Sequence, residues 1–164
     1  MMSSALIAAP FGQVAVAVNS GQLRIEFLVV EGAQNAEIRV DMESDAPLLN
    51  LTCQQIVRYL KQSTSSFDLP LDQQGTVFQK KVWRAIVAIP CGQTRTYGEL
   101  ALQIGSGPRA VANACGANQL PLVIPCHRVV AKNGLGGFMQ GKQNSLAIKK
   151  WLLQHEGVKG LVCE

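Results

Sequence analysis

The chain has little histidine and no closely paired cysteine. Two histidines stand among its 164 residues, and five cysteines are scattered singly with no Cys-x-x-Cys spacing (Cys53, Cys91, Cys115, Cys126 and Cys163). An odd, scattered set argues against a disulfide framework and against a zinc cluster. We therefore interpret the cysteines as reduced thiols, and we expect no metal and no disulfide.

Long hydrophobic runs are also absent. The N-terminal stretch Met-Met-Ser-Ser-Ala-Leu-Ile-Ala-Ala-Pro has no basic flank and is too short for a signal peptide, and no later run reaches membrane-spanning length. Apolar residues make up 48% of the chain, enough for a real core. These features predict a soluble globular protein that does not bind membranes and that lies in the cytoplasm or the nucleus, of which we expect the cytoplasm.

Charge is unevenly distributed between the two parts of the chain. Residues 1–64 hold four Lys and Arg against six Asp and Glu, whereas residues 65–164 hold eleven against five. A basic second half is typical of a segment that meets a polyanion, although ordinary solvated charge explains it equally well.

The first part of the chain shows the pattern of a small sheet with one helix. Residues 12–30 contain two β-rich runs around Asn19-Ser20-Gly21, which predicts a hairpin. Residues 48–62 place apolar side chains on one helical stripe. Ser63-Thr64-Ser65-Ser66 then interrupts the periodicity. We predict an N-terminal α/β domain at 1–66 and a second domain at 67–164.

The second part of the chain has the pattern of a series of helices, and the N-termini of two of them are marked by sequence. Thr76-Val77-Phe78-Gln79 and Thr96-Tyr97-Gly98-Glu99 both fit a capping box. The first helix ends near Pro90, the second runs from Tyr97 to about Ile104, and a third runs from Arg109 to about Asn118. A short helix, a glycine-containing turn and another helix make a candidate helix-turn-helix.

The third of these helices is almost entirely built from small residues. Arg109-Ala110-Val111-Ala112-Asn113-Ala114-Cys115-Gly116-Ala117 contains one long basic group, Arg109. Helices that read the major groove carry long polar side chains instead. Small residues let the backbone approach a phosphate backbone or another helix closely, so a DNA-binding helix and a tightly packed core helix both fit.

The stretch Pro125-Cys126-His127-Arg128 is a candidate for thiol chemistry. Leu120–Ile124 predicts a buried strand or extended run that delivers Cys126 at its end. Most lone cysteines are inert core residues, but a neighbouring base raises the thiolate fraction. Adjacent side chains point apart, so His127 would reach the sulfur through a bridging water. A carboxylate at the end of the last helix, Glu156, is placed against the helix dipole and could orient the imidazole.

These residues together resemble the O6-alkylguanine-DNA alkyltransferases, or methylated-DNA-protein-cysteine methyltransferases. The resemblance covers roughly residues 68–157, and its most specific element is Pro-Cys-His-Arg-Val with the upstream Asn118. It implies an α+β fold: a ribonuclease H-like sheet-plus-helix domain, then a mainly helical winged-helix or helix-turn-helix-like domain. The N-terminal part, with Ala9-Pro10-Phe11-Gly12, resembles the family only weakly.

The activity that the resemblance implies is suicidal DNA repair by a methyltransferase without a cofactor. The alkyl group of O6-alkylguanine, mainly O6-methylguanine, passes irreversibly to Cys126, once per molecule. His127 would act as its base through water, Glu156 would hold His127, and Asn118 would support the turn. Tyr97 would donate to the departing guanine, and the carbonyls near Cys126 and Val129 would accept from its amino group.

The partner that the resemblance implies is double-stranded DNA, bound by a monomer through the minor groove. The target nucleotide would be flipped out of the stack, and Arg109 would fill the gap. The remaining substrate- and DNA-contacting residues expected are Thr96, Ala110, Ala112, Gly116 and Phe138.

Two departures from the family pattern stand out. Where the family usually has Tyr-Ser/Ala-Gly-Gly in a lid, this chain has Phe138-Met139-Gln140-Gly141, so the sequence does not specify the accepted alkyl groups. The metal-ligand pattern that some members carry in the N-terminal domain has no counterpart here.

Two alternatives belong to other functional classes. A protein that recognises alkylguanine without transferring the alkyl group would need no cysteine, so the presence of Cys126 argues against it. A thiol hydrolase using Cys126 and His127 would turn over repeatedly on an ester or amide, and no part of the sequence points to a site for one.

Overall fold

A computed structural model of the chain describes residues 2–28, 37–138 and 145–160. The lid residues from Met139 to Asn144, and Cys163, therefore lie outside the described residues. The chain divides into two compact units, Met1–Gln73 and Gln74–Glu164. Each contains helices, and the first contains a small antiparallel sheet, so the predicted α+β class is confirmed.

The first unit is a four-stranded antiparallel sheet with one helix. The strands are β1 (Met2–Ala9), β2 (Gly12–Asn19), β3 (Gln22–Leu28) and β4 (Arg39–Met42), in the order β3-β2-β1-β4. The predicted hairpin is confirmed: Asn19 pairs with Gln22, and Ser20 and Gly21 form the turn with positive φ. Alternating side chains of β1 to β3 face the core, among them Ile7, Val14 and Ile25.

Helix α1 (Pro47–Lys61) packs on β1 and β2. The helix predicted at 48–62 is therefore confirmed, and four members of its apolar stripe are buried: Leu49, Cys53, Ile56 and Leu60. Residues just beyond the predicted boundary at Ser66 also contact this helix. The side-chain amide of Gln55 bonds both backbone groups of Asp68, and the rings of Tyr59 and Phe67 lie 5.6 Å apart.

Within its described residues, the second unit carries four α-helices and a two-stranded parallel pair. The helices are α2 (Val77–Val87), α3 (Tyr97–Ile104), α4 (Pro108–Gly116) and α5 (Ser145–His155); the strands are β5 (Arg95–Thr96) and β6 (Val129–Val130). Both predicted capping boxes are present, since Thr76 bonds reciprocally with Gln79 and Thr96 with Glu99. The sequence positions of these two helix starts are therefore confirmed.

Helices α3 and α4 pack together through a tight turn. Gly105 ends α3 in the left-handed conformation at φ 84°, where glycine has no Cβ penalty. Val111 and Ala114 bury the inner face of α4, and the Ala114 carbonyl accepts a 2.9 Å hydrogen bond from the Trp83 indole of α2. The opposite face carries exposed Arg109. The small-residue helix is therefore packed on one side and accessible on the other.

The strand or extended run predicted at Leu120–Ile124 is wrong. These residues form a buried turn in which the Ile124 amide donates to the Leu120 carbonyl at 2.8 Å and Leu122 has a φ of 73°. Prolines at positions 121 and 125 cannot donate to a strand ladder. In place of strand pairing, the side chain of Asn118 bonds the backbone at both ends of the turn. It accepts from the Leu120 amide and donates to the Ile124 carbonyl.

None of the helices in the described part of the chain combines the length and the hydropathy needed to cross a membrane.

We expect the cap of α2 to contribute measurably to stability. Thr76→Ala removes the hydroxyl that accepts from the Gln79 amide at 3.0 Å, and such losses cost about 1 kcal/mol. The free energy of unfolding can be followed by the fluorescence of Trp83 and Trp151, both in the second unit. Thr94→Ala, whose hydroxyl caps no helix, should change it by less than about 0.5 kcal/mol. Equal losses from the two variants would contradict this role of Thr76.

Candidate active site

Cys126 lies at the centre of a group of buried polar side chains. It begins a 3-10 turn, Cys126–Arg128, which is fixed at its start by a 2.7 Å hydrogen bond from the Cys126 amide to the Ile124 carbonyl. The residue is 9% exposed. Cys126 and His127 are consecutive in this turn, after the buried segment 120–125, and both side chains are buried.

His127 is held by a carboxylate, as the sequence analysis expected of Glu156. The His127 Nε2 atom lies 2.7 Å from Glu156 Oε2, and both side chains are almost completely buried. Because a carboxylate accepts hydrogen bonds, we assign the imidazole proton to Nε2. The Nδ1 atom then presents a lone pair, and it is buried with no hydrogen-bond partner among the described residues.

Arg128 holds the same carboxylate from the other side. Its Nε donates to Glu156 Oε1 at 2.8 Å and one terminal nitrogen donates to Oε2 at 3.1 Å, while the other donates to the Ile89 carbonyl at 2.7 Å. This forked geometry fixes the plane of the carboxylate. Arg128 therefore restrains Glu156, and through it the orientation of His127.

Burial keeps both reacting groups neutral at rest. The pKa of His127 is lowered because burial disfavours the imidazolium, although Glu156 opposes this shift. The pKa of the Cys126 thiol is raised by burial, and it is lowered in part by a hydrogen bond from Asn118 and by the charge of Lys149. In these neutral states the imidazole can accept a proton and the thiol has one to give.

Tyr97 lies at the start of α3 and reaches the segment that precedes the lid. Its hydroxyl donates to the Gly137 carbonyl at 3.3 Å. Burial, with the nearby thiols of Cys115 and Cys126, raises the pKa of Tyr97 to about 12. The phenol therefore retains its proton at neutral pH and can donate it in a hydrogen bond.

Other residues expected at the site divide between the interior and the surface. Phe138 is buried, and its carbonyl accepts from Ser145 at 2.9 Å. Val129 is buried in β6 beside Cys126. Thr96 already uses its hydroxyl as the cap of α3. On α4, Arg109 is exposed, whereas the remaining expected residues are half-buried: Ala110, Ala112 and Gly116.

Arg128 and Lys149 are two residues of the site whose roles were not predicted from the sequence. Lys149 is fully buried, and its ammonium donates to the carbonyls of Val129 and Gly137 at 2.7 and 2.9 Å. A helical spacing could have revealed it, because Lys149 lies four residues after Ser145 and seven before Glu156, on one face of α5. A lysine on the buried face of α5 is unusual, and this is the sequence signal for Lys149.

Across residues 2–28, 37–138 and 145–160, no three His, Cys, Asp or Glu side chains are grouped closely enough to hold a metal ion.

Comparison with known proteins identifies the family. A family model described as "6-O-methylguanine DNA methyltransferase, DNA binding domain" matches residues 77–158. A probable methylated-DNA–protein-cysteine methyltransferase of Acanthamoeba polyphaga mimivirus is 48% identical over 102 residues, 60% of this chain and 66% of that protein. The methylated-DNA–protein-cysteine methyltransferase of Methanosarcina barkeri is 38% identical over 154 residues, 92% of this chain and 94% of that protein.

A solved structure agrees with these relatives. The crystal structure of Mycobacterium tuberculosis OGT in complex with DNA aligns with a TM-score of 0.73 at 32% identity, covering 92% of this chain and 90% of that one. The chain spans about two thirds of the viral protein and nearly all of the archaeal one. This chain belongs to the methylated-DNA–protein-cysteine methyltransferase family, so the resemblance found in the sequence is confirmed.

We predict that Gly136 is required for the position of Tyr97. A Cβ at Gly136 would lie 2.7 Å from Tyr97 Cε2, and the φ of 75° disfavours any other residue. Gly136→Ala should therefore lower the free energy of unfolding by roughly 1–3 kcal/mol, measured by urea titration.

Gly137→Ala provides the matched control. A Cβ at Gly137 would meet no atom within 4 Å, so this variant should unfold close to wild type. If the two alanine variants are equally stable, the close approach of Gly136 to Tyr97 does not constrain the site.

Proposed function

We propose that this protein repairs DNA by transferring the methyl group of O6-methylguanine to its own Cys126, once per molecule. The observation that carries the proposal is a buried thiol next to a histidine that is bonded to a buried carboxylate at 2.7 Å. Membership of the family supports the reaction type. The carboxylate and histidine supply a base, and burial limits access of other electrophiles to the sulfur.

The reaction begins with loss of the thiol proton. His127 Nδ1 takes this proton through an intervening water, and the Glu156 carboxylate stabilises the imidazolium that forms. The thiolate attacks the methyl carbon in line with the bond to the guanine oxygen. A sulfur–carbon bond forms, the carbon–oxygen bond breaks, and its electron pair remains on the guanine.

Proton balance then requires a donor for the guanine. Tyr97 gives its phenolic proton to the departing base. The proton held by His127 then passes through solvent to the Tyr97 oxygen, so both side chains end neutral. The product on the protein is a neutral thioether, whose sulfur is no longer a nucleophile. Asn118 holds the turn that presents the sulfur, and backbone carbonyls at Cys126 and Val129 accept from the guanine amino group.

Access to a base in a duplex requires extrusion of the nucleotide. The guanine oxygen faces neighbouring bases in the stack, so in-line attack by a protein sulfur needs the base outside it. Arg109 is exposed at the start of α4, where it can enter the gap, and Ala110, Ala112 and Gly116 allow close approach in the minor groove. The related M. tuberculosis OGT was solved in complex with DNA.

Finer assignments form part of the same proposal. We assign a ribonuclease H-like character to the first domain and a winged-helix or helix-turn-helix-like character to the second. The protein acts as a monomer, in the cytoplasm, without cofactor or metal. The domain boundary near residue 66 and the role of the lid beginning at Phe138 remain predictions.

We expect Cys126→Ala to abolish transfer while leaving lesion binding intact. Each protein is mixed with duplex DNA carrying one O6-methylguanine, and its intact mass and peptide map are recorded. The wild type should carry one methyl group on Cys126. Cys91→Ala, a cysteine in the same unit but outside the proposed chemistry, should transfer normally. Binding without a mass change in the wild type would favour a recognition protein and overturn the transfer reaction.

We expect Arg109→Ala to slow methyl transfer from duplex DNA far more than transfer from the free base. Loss of the intercalating side chain should slow transfer from a duplex by roughly tenfold or more, since extrusion costs a few kcal/mol. Transfer from free O6-methylguanine should be unchanged, because no extrusion is needed. Arg84→Ala, on α2, serves as the charge-matched control. An equal loss on both substrates would assign Arg109 to the chemistry rather than to extrusion.

A further inference from the structure

Lys149 is the one fully buried lysine among the described residues, and no step above uses it. Its ammonium donates to the Val129 carbonyl in β6 and to the Gly137 carbonyl before the lid. It also lies 5.8 Å from the centre of the Tyr97 ring and 6.0 Å from that of Phe138. One cation therefore joins α5 to β6, which follows the turn of Cys126, and to the segment that Tyr97 contacts before the lid.

Burying this charge is unfavourable by itself. Burial lowers the pKa of Lys149 to about 8, although the thiols of Cys126 and Cys115 oppose the shift. A buried ionic group is weak evidence for stability, since apolar residues of similar volume often serve as well. The position of the charge therefore calls for an explanation other than the packing of α5.

Other cations near the sulfur are already engaged or neutral. Arg128 is bound to Glu156 and to the Ile89 carbonyl. His127 is neutral before the thiol proton is transferred, and the imidazolium that then forms is paired with Glu156. The titratable groups that face Lys149 include Cys126, Cys115 and Tyr97, all neutral when protonated. His127 faces it as well, because the charge of Lys149 helps to lower the pKa of the imidazole. Lys149 is thus the positive charge available to a thiolate at Cys126.

We propose that Lys149 is a positioning residue that stabilises the Cys126 thiolate while clamping the Val129 and Gly137 carbonyls on either side of the site. The inference rests on the proposed function, since it assigns this charge to the transfer step. The Val129 carbonyl has a second lone pair for the guanine amino group, so one atom can be held by the lysine and can also accept from the base. The Gly137 carbonyl accepts from both Lys149 and Tyr97, so the clamp also restrains the phenol.

The first test measures the thiol without DNA. Carbamidomethylation of Cys126 by iodoacetamide is followed by peptide mapping across a pH series in wild type and in Lys149→Gln, Lys149→Arg and Lys150→Met. Lys149→Gln should move the pKa of Cys126 upward and slow its alkylation at pH 7 by roughly tenfold, since one pKa unit is tenfold in thiolate. Lys149→Arg should restore most of the rate, and Lys150→Met should match wild type.

A second measurement needs no variant of the lysine. By reciprocity, a thiolate that is stabilised by Lys149 must raise the pKa of Lys149. The 13C-labelled lysine side chain is titrated by NMR in wild type, in Cys126→Ala and in the control Cys91→Ala. We expect a lower Lys149 pKa in Cys126→Ala alone. An unchanged Lys149 pKa, or a Cys126 profile in a folded Lys149→Gln identical to wild type, would overturn the inference.

These outcomes are separate from those that test the proposed function. Methyl transfer from DNA by the wild-type protein decides the reaction, whereas the thiol and lysine titrations contain no DNA. If the wild-type protein takes up no methyl group, the proposed function is refuted, even if the pKa values of Lys149 and Cys126 depend on each other. If the wild type takes up a methyl group but the two pKa values are independent, only the role of Lys149 is refuted.

Discussion

The rest of the site depends on the hydrogen bonds that the buried carboxylate of Glu156 accepts from His127 and Arg128. Glu156 lies immediately after α5 and accepts from His127 on one oxygen and from Arg128 on both. An unpaired carboxylate at this depth would be very unfavourable, so its two partners must be present together. Because those partners belong to the turn that carries Cys126, satisfying one buried charge also fixes the nucleophile's surroundings.

Three side-chain hydrogen bonds hold this turn in place. Asn118 donates to the Ile124 carbonyl before Cys126, and Lys149 donates to the Val129 carbonyl after it. Arg128, within the turn, donates to the Ile89 carbonyl just beyond α2. Each contact is a hydrogen bond from a polar side chain to a backbone carbonyl of the site or of a segment packed beside it. The reactive segment can therefore be irregular and still be well ordered, as a preorganised site requires.

Helix starts and the hairpin were predictable from the sequence because their causes are local. Each capping box has its two partners three residues apart, and Asn19-Ser20-Gly21 contains its own turn chemistry. Strands β1 and β4 were not predicted. β1 is rich in Ala and Ser and exposes Leu6, while β4 has only four residues and depends on pairing with a strand more than thirty residues away.

The candidate site was predictable in part, for a related physical reason. Cys126, His127 and Glu156 could be named because each is an unusual residue at its position, and the structure brings His127 and Glu156 together. The run Leu120–Ile124 favoured a buried strand or extended segment because its side chains are apolar. Its actual turn depends on hydrogen bonds from Asn118 and on two prolines, which an apolar pattern does not reveal. Lys149 was not predicted because its hydrogen-bond partners are backbone carbonyls, which the sequence does not specify, so only its helical spacing pointed to the site.

Stoichiometry tests the central claim most directly. The protein is incubated with a large excess of duplex DNA containing O6-methylguanine, and the methyl groups removed from DNA are counted against protein molecules over time. Self-alkylation predicts a rapid rise that stops at one methyl group per protein, with the methyl group retained on Cys126. Continued removal beyond one per protein, with an unmodified cysteine, would contradict the account and indicate a hydrolytic thiol enzyme.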